Sequence, residues 1–220
     1  MRIIAGKSRG RPVISPSDDT TRPITDRAKQ SLFDALAVAV DFSATPVLDC
    51  VCDTGSLGLE CLSRGSPRVV FVENGRSALE NLRNNIVAFG VKDRSDVLRL
   101  DAYRTPSALA GLPTPDGRPL KFLLAFVDPP YAQMESPDER DAVDNLVQAL
   151  ALDWVPTGGL IILRHPTEVK LTGLRLAPLV IRQMVYGSMT ITWLETQTGT
   201  GSQAANVVAD HAPADSPGDI

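Results

Sequence analysis

The chain has 220 residues, 43% of them apolar and 22% charged, which suits one packed domain with an appendage and excludes wholesale disorder. No apolar run reaches the ~18 residues of a membrane span, and the start, MRIIAGKSRG, lacks the apolar stretch of a secretory leader. The net charge of −4 argues against a nucleic-acid partner overall, but residues 1–30 hold seven Lys/Arg against three Asp, while residues 195–220 hold four acids and no Lys or Arg.

Three cysteines, Cys50, Cys52 and Cys61, are an odd count without a leader, which points to reduced thiols in a cytoplasm. A Cys-x-Cys pair plus one more lacks zinc spacing, and the two histidines are His165 and His211, so no metal site is expected. Cys50 and Cys61 read as small core residues.

In chain order, residues 1–15 predict a short hairpin: Ile3 and Ile4, then Val13 and Ile14, flank the cationic, glycine-bounded turn GKSRGR. Residues 16–23 form a polar, proline-closed linker. Thr25 or Asp26 caps a helix over 26–40, with Ala28, Leu32, Leu36 and Ala39 on one face. From Pro46 onward strands and helices alternate: the strand VLDC, the helix SLGLECLSRG, the strand RVVFVE, the helix RSALENLRNNIVAFG, the strand DVLRLD, the strand FLLAFVD, the helix DERDAVDNLVQALAL and the strand GGLIILRH. These strands are too apolar for burial on one face only, which implies a parallel sheet covered by helices on both sides. The segment LRLAPLVIRQMVYGSMTITWLE breaks the alternation and predicts two antiparallel strands meeting near VYGS, with Tyr186 and Trp193 as packing residues. Residues 197–220 read as a disordered acidic tail.

In a doubly wound sheet, ligands gather at the carboxyl ends of the strands. Four acids stand there: Asp49, Glu73, Asp101 and Asp128. After Asp49 a loop with Gly55 and Gly58 opens a helix, and a glycine loop lets backbone approach a ligand. Asp53 in that loop would repel phosphate, and the run is neither a dinucleotide fingerprint nor a P-loop. Glu73 suits ribose hydroxyls, or caps a helix beside Asn74. Asp101 suits an adenine amino group, or is a plain helix cap. Together they describe a nucleoside pocket without a phosphate clamp, a character that S-adenosylmethionine has. Asp128-Pro129-Pro130-Tyr131 adds a carboxylate, two fixed residues without N–H groups and a flat ring. Such a cup accepts two hydrogen bonds and stacks one planar group, as an aromatic exocyclic amine requires; the alternative is a simple turn. His165, after the fifth strand, is a candidate substrate contact.

The order of Asp49, Gly55-Ser-Leu-Gly-Leu-Glu60, Glu73, Asp101 and Asp128-Pro-Pro-Tyr131 resembles the class I S-adenosylmethionine-dependent amino-methyltransferases. With MRIIAGKSRGRPV and TRPITDRAKQSLFDAL at the start, residues 1–194 are similar to the RsmD family, which methylates a guanine N2 amine in small-subunit ribosomal RNA. The resemblance implies an α/β, Rossmann-like fold: a mostly parallel seven-stranded sheet, helices on both faces, a C-terminal antiparallel hairpin and an N-terminal β-hairpin extension. It implies a basic RNA-contacting segment at 1–23, a methyltransferase domain at 24–196 and the tail at 197–220. S-adenosylmethionine would be held by Asp49, Cys52, Asp53, Thr54, Gly55, Gly58, Glu73, Asn74, Asp101 and Ala102. Asp128 and the Pro129 carbonyl would hold the guanine amine, with Pro130 fixing the turn and Tyr131 stacking on the base. Arg2, Lys7, Arg9, Arg11, Arg22, Thr25 and Arg27 would contact RNA. The implied partner is small-subunit ribosomal RNA or an assembling small subunit, met by a cytoplasmic monomer with no membrane association.

Two positions depart from the family. Its first loop reads FAGSG or FCGTG where this chain has VCDTG, so Asp53 replaces a glycine and Val51 an aromatic. Alternatives are an amino-methyltransferase acting on DNA adenine-N6 or cytosine-N4, and an RNA-binding relative impaired by Asp53. The reading would fail if Asp128 turned inward into a salt bridge with no vacant hollow joining it to Glu73.

Overall fold

The computed structural model describes residues 1–15, 24–112, 114, 117, 119–171, 179–197 and 208–211. The linker 16–23 with Arg22, and the tail apart from residues 197 and 208–211, lie outside the described residues.

The core is one sheet. Its strands are β1 (Val47–Cys50), β2 (Val69–Glu73), β3 (Ser95–Arg99), β4 (Leu124–Val127), β5 (Leu160–Pro166), β6 (Leu179–Tyr186), β7 (Met189–Glu195) and β8 (Val208–His211). The spatial order is β3-β2-β1-β4-β5-β7-β6-β8. The first five strands pair in parallel, and β7 runs antiparallel to β5 and β6. Around it stand α1 (Asp26–Ala39), α2 (Ser56–Arg64), α3 (Arg76–Phe89), α4 (Thr105–Leu109), α5 (Tyr131–Glu135) and α6 (Pro137–Asp153). Every residue of β1 and β4 is buried, because side chains alternate between two apolar layers. Phe71 and Phe126 face Leu32, Phe33 and Leu36 of α1 and Leu82 and Ile86 of α3. Leu48, Val70 and Ala125 face Val143, Leu146 and Leu150 of α6 on the other side.

The seven expected strands and the closing hairpin are present. The turn falls at Gly187, whose φ of +59° suits glycine. An eighth strand, β8, arises inside the segment read as a disordered tail and pairs in parallel with β6. Averaging the tail by composition hides the β-prone residues of Val208–His211, which meet the β6 edge that β7 leaves open.

The N-terminal hairpin is short: Arg2 bridges Pro12 antiparallel, and across it Ile3 N–H donates to Arg11 O at 3.0 Å, Gly10 N–H to Ile3 O at 2.8 Å and Val13 N–H to Met1 O at 3.1 Å. It is docked rather than free: Ile3 and Val13 are buried in the layer beside α1. The Ile4 and Ala5 N–H groups donate to the Glu60 carboxylate on α2 at 2.7 and 2.9 Å. Glu60 also pairs with Lys29 at 3.3 Å and Arg64 at 3.0 Å, and the Glu60 and Lys29 side chains are fully buried. Lys29 Nζ donates onward to the Arg2 carbonyl at 3.2 Å. Gly6 lies so close to α2 that a Cβ there would sit 2.1 Å from the Ser63 carbonyl oxygen. At the loop's other end, Asn85 of α3 accepts from Ile14 N–H at 2.9 Å and donates to Ile14 O at 3.0 Å and Thr54 O at 3.1 Å.

Removing one partner of a buried ion pair leaves the other charge stranded. Glu60→Ala is therefore expected to lower the unfolding free energy by about 3–5 kcal/mol, read from urea denaturation. A loss below about 1 kcal/mol, the range of an exposed pair, would show that the network contributes little.

Candidate active site

The parallel strands place their carboxyl ends side by side. In register, Cys50 lies beside Val72 and Val127, and Glu73 beside Arg99. The Asp128 N–H donates to the Cys50 carbonyl at 3.2 Å, so the Asp-Pro-Pro-Tyr elbow is pinned to the mouth of the glycine loop. The chain crosses from one half of the sheet to the other between β1 and β4, the place where such sheets bind ligands.

Asp49 is 1% exposed. Its Oδ2 accepts from the Gly58 N–H at 2.8 Å and so ties β1 to the first turn of α2. Its Oδ1 is buried without a protein partner. Burial pushes this carboxyl well above the usual range; the Gly58 hydrogen bond opposes that, and the charges of Asp128 and Glu73 add to it.

The loop from Val51 to Gly55 is strained. Val51 has φ 55° and Asp53 φ 49°, in the left-handed region where a Cβ is unfavourable. Asp53 stands where the resemblance expects glycine, and its backbone adopts the conformation that glycine would supply. Its N–H donates to Glu73 Oε2 at 2.8 Å. Burial, then the charges of Glu73 and Asp128, push the Asp53 carboxyl up to about 6, against the Thr54 backbone hydrogen bond and Arg164.

Gly55 and Gly58 answer to packing as much as to any ligand. A Cβ on Gly55 would meet Leu82 Cδ1 at 2.4 Å, and one on Gly58 would meet Phe71 Cε1 at 2.4 Å. Both readings of Glu73 bear on one carboxylate: its Oε1 accepts from Asn74 and Gly75 N–H at 2.8 and 2.7 Å, which is the capping alternative. Backbone donors thus use three of the roughly four acceptor positions of the carboxylate. Asp101 likewise caps its own turn, accepting from Tyr103 N–H at 3.1 Å, and stays exposed beside buried Ala102. Cys52 and Thr54 are buried in the loop, and Asn74 is exposed at its edge.

The elbow carries the main departure from expectation. Asp128 forms a salt bridge with Arg164 of β5, and the Arg164 guanidinium lies 5.9 Å from the Tyr131 ring centroid. Asp128 therefore does not stand as a free acceptor. Its carboxyl is raised by burial and pulled back by the Arg164 charge and hydrogen bond. Arg164 is not legible as a site residue from the sequence, because its signal lies in strand register: Val127 pairs with Leu163, so the next residues along, Asp128 and Arg164, are neighbours across the two strands.

The RNA candidates separate. Lys7 and Arg9 are exposed on the docked loop, and Arg27 is exposed on α1. Arg2 pairs with Asp26 at 3.2 Å. Arg11 donates to Ala88 O at 2.7 Å and stacks over Phe89 at 4.7 Å. Thr25 is the N-cap of α1, accepting from Ala28 N–H at 3.2 Å. His165 does not reach the strand-end face: it is 1% exposed, with its ring nitrogens 2.8 Å from Pro166 O and Thr192 Oγ1. The three cysteines are free and buried. Among the described residues no group of three or more His, Cys, Asp or Glu is placed to hold a metal, and no helix is long and apolar enough to cross a membrane.

A parallel five-strand run extended by an antiparallel β7, with acids at the strand ends and an Asp-Pro-Pro-Tyr elbow after β4, is the Rossmann-like architecture of class I methyltransferases. A family model described as Conserved hypothetical protein 95 matches residues 1–195. YlbH of Bacillus subtilis (strain 168) is 31% identical over 171 residues, 78% of this chain and 85% of its own length. Ribosomal RNA small subunit methyltransferase D of Escherichia coli K12 is 35% identical over 132 residues, which span 60% of each chain. The solved structure of yhhF from Escherichia coli matches with a TM-score of 0.73 at 26% identity, over 90% of this chain and 99% of that one. The chain belongs to this family, the RsmD-type methyltransferases.

Asp53→Gly removes both a left-handed Cβ and a carboxyl raised by its surroundings. The raised carboxyl contributes stability that is full below the ordinary carboxylate range and is lost as pH climbs through about 6. The variant is expected to gain about 1 kcal/mol from relieved backbone strain. Denaturation at pH 4 and pH 7 should show a larger gain at pH 7. An equal gain at both would mean that Asp53 titrates normally.

Proposed function

We propose that the chain transfers a methyl group from S-adenosylmethionine to the exocyclic N2 amine of a guanine in small-subunit ribosomal RNA. The observation that carries this reading is the pinning of Asp128 to Cys50, which sets an amine-accepting elbow directly beside the glycine loop. The name of the Escherichia coli relative supports the substrate class.

The residues suit the cofactor at its amino-acid end. Asp49 Oδ1 is a buried acceptor with no protein donor, which an ammonium group would satisfy. Cys52, Asp53, Thr54 and Gly55 would line that end, with Gly58 holding Asp49 in place. Glu73 and Asn74 would take the ribose, and Asp101 and Ala102 the adenine. S-adenosylmethionine supplies an electrophilic methyl group on a sulfonium.

The protein's own part is positioning and proton acceptance. Asp128 and the Pro129 carbonyl hold the two amine hydrogens, and this favours a pyramidal nitrogen with its lone pair exposed. Pro130 fixes the turn, and Tyr131 stacks on the base. Asp128 accepts the departing proton, directly or through water. A guanine stacked in a helix cannot enter such a cup, so the target is in a loop or turned outward. Lys7 and Arg9 on the docked loop and Arg27 on α1 hold phosphates, so affinity falls as salt rises. The chain works as a cytoplasmic monomer on the RNA or the assembling subunit, with 24–196 as the transferring unit.

A second reading has specific support. Asp53 in the loop, the three backbone donors on Glu73 and the Arg164–Asp128 pair all favour an RNA-binding relative without turnover.

The test is transfer of labelled methyl from S-adenosylmethionine to small-subunit particles and to DNA, with modified nucleotides mapped by mass spectrometry. The expected label is on one guanine, and Asp128→Ala should cut the rate by about 10² or more. Label on DNA adenine or cytosine would favour the other amino-methyltransferases. Absence of calorimetric heat at millimolar cofactor, restored in Asp53→Gly, would establish the impaired relative.

A further inference from the structure

One side chain occupies two of the three contacts that the proposed base needs, those at Asp128 and Tyr131. Arg164 Nε donates to Asp128 Oδ1, and the guanidinium carbon lies 5.9 Å from the Tyr131 ring centroid. Its Nη1 approaches Met189 Sδ at 4.0 Å, and only 12% of the side chain is exposed. A guanidinium is flat and presents N–H donors in a fixed fork. The N1–H and 2-amino edge of guanine is also flat and also presents adjacent N–H donors. Arg164 thus makes, from within the protein, the hydrogen bond and the ring contact that a guanine would make.

We propose that Arg164 is a specificity-determining latch: it holds Asp128 in the free protein and releases it to the base only when an RNA phosphate takes the guanidinium. This rests on the methyl-transfer reading above. A neutral amine cannot displace the cation unaided, because the guanidinium of a largely buried pair would be left without a charged partner and the carboxylate would exchange a cation for a neutral donor. Phosphate resolves that problem, since it accepts the guanidinium fork as a carboxylate does. Release of Asp128 is then coupled to backbone contact, and a guanine without the right phosphates beside it is refused.

The test uses two RNAs, a folded small-subunit ribosomal transcript and a short guanosine oligonucleotide, with the wild type, Arg164→Ala and Arg164→Lys. Fluorescence anisotropy gives affinity against salt, and methyl transfer gives KM and kcat separately. For Arg164→Ala, the slope of log affinity against log salt on the transcript should fall by about 0.7–0.9, one phosphate's share. KM for the oligonucleotide should drop about tenfold as the competent fraction rises. Arg164→Lys keeps the charge and should keep the slope. Parallel loss of kcat on both RNAs, with KM and slope unchanged, would overturn the latch and leave Arg164 as a support for Asp128. Thermal melting confirms folding, and Arg164→Gln replaces the alanine variant if that unfolds. The anisotropy arm needs no turnover. A wild type that methylates neither these RNAs nor small-subunit particles therefore defeats the methyl-transfer reading, while the salt slope still decides the latch.

Discussion

A single buried carboxylate, Glu60, sets the geometry of the molecule. It receives four donors: two backbone N–H groups from the N-terminal loop, Lys29 of α1 and Arg64 of α2. Four donors match the acceptor capacity of a carboxylate, so the ion is buried with every oxygen position used. Satisfaction of that kind decides whether a buried charge is tolerated. Burial lowers the Lys29 ammonium, and Glu60 opposes that shift. Lys29 then spends its remaining reach on the Arg2 carbonyl. The basic loop is therefore welded to the same helix whose first turn, through Gly58, anchors Asp49.

Asn85 makes the second weld. It bonds Ile14 at the far end of the loop and Thr54 in the strained turn with the same amide group. The basic loop and the strand-end crevice are thus held at a fixed offset by two buried polar side chains, Glu60 and Asn85. Fixed offset is what an enzyme needs when its target is one base in a long RNA. The polymer is located by phosphate contacts, and the base must then fall at one place.

The alternation of apolar runs and the acids that end them were legible because they are local. So were the glycine loop and the diproline elbow, whose backbone constraints belong to the residues themselves. What was not legible depends on partners distant in sequence. Gly58 reads as a ligand-approach glycine until Phe71 is seen beneath it. Arg11 reads as a free cation until Phe89 and Ala88 of α3 take it up. Arg164 sits in a run otherwise apolar, and its role depends on register with β4, which no local pattern contains.

The electrostatics of the strand-end face follow from these placements. Asp49, Asp53 and Asp128 all have carboxyls raised by burial, and Asp49 and Asp53 are pushed further by neighbouring acids. An acidic mouth with one internal cation is poorly suited to phosphate and well suited to a cationic ligand, whose arrival would relieve the repulsion. The exposed cations Lys7, Arg9 and Arg27, proposed above to hold RNA, lie instead on the docked loop and α1. The segregation is functional in its consequence: phosphates are attracted to the surface and repelled from the crevice. A nucleobase entering such a crevice would therefore have to leave its own backbone at the rim.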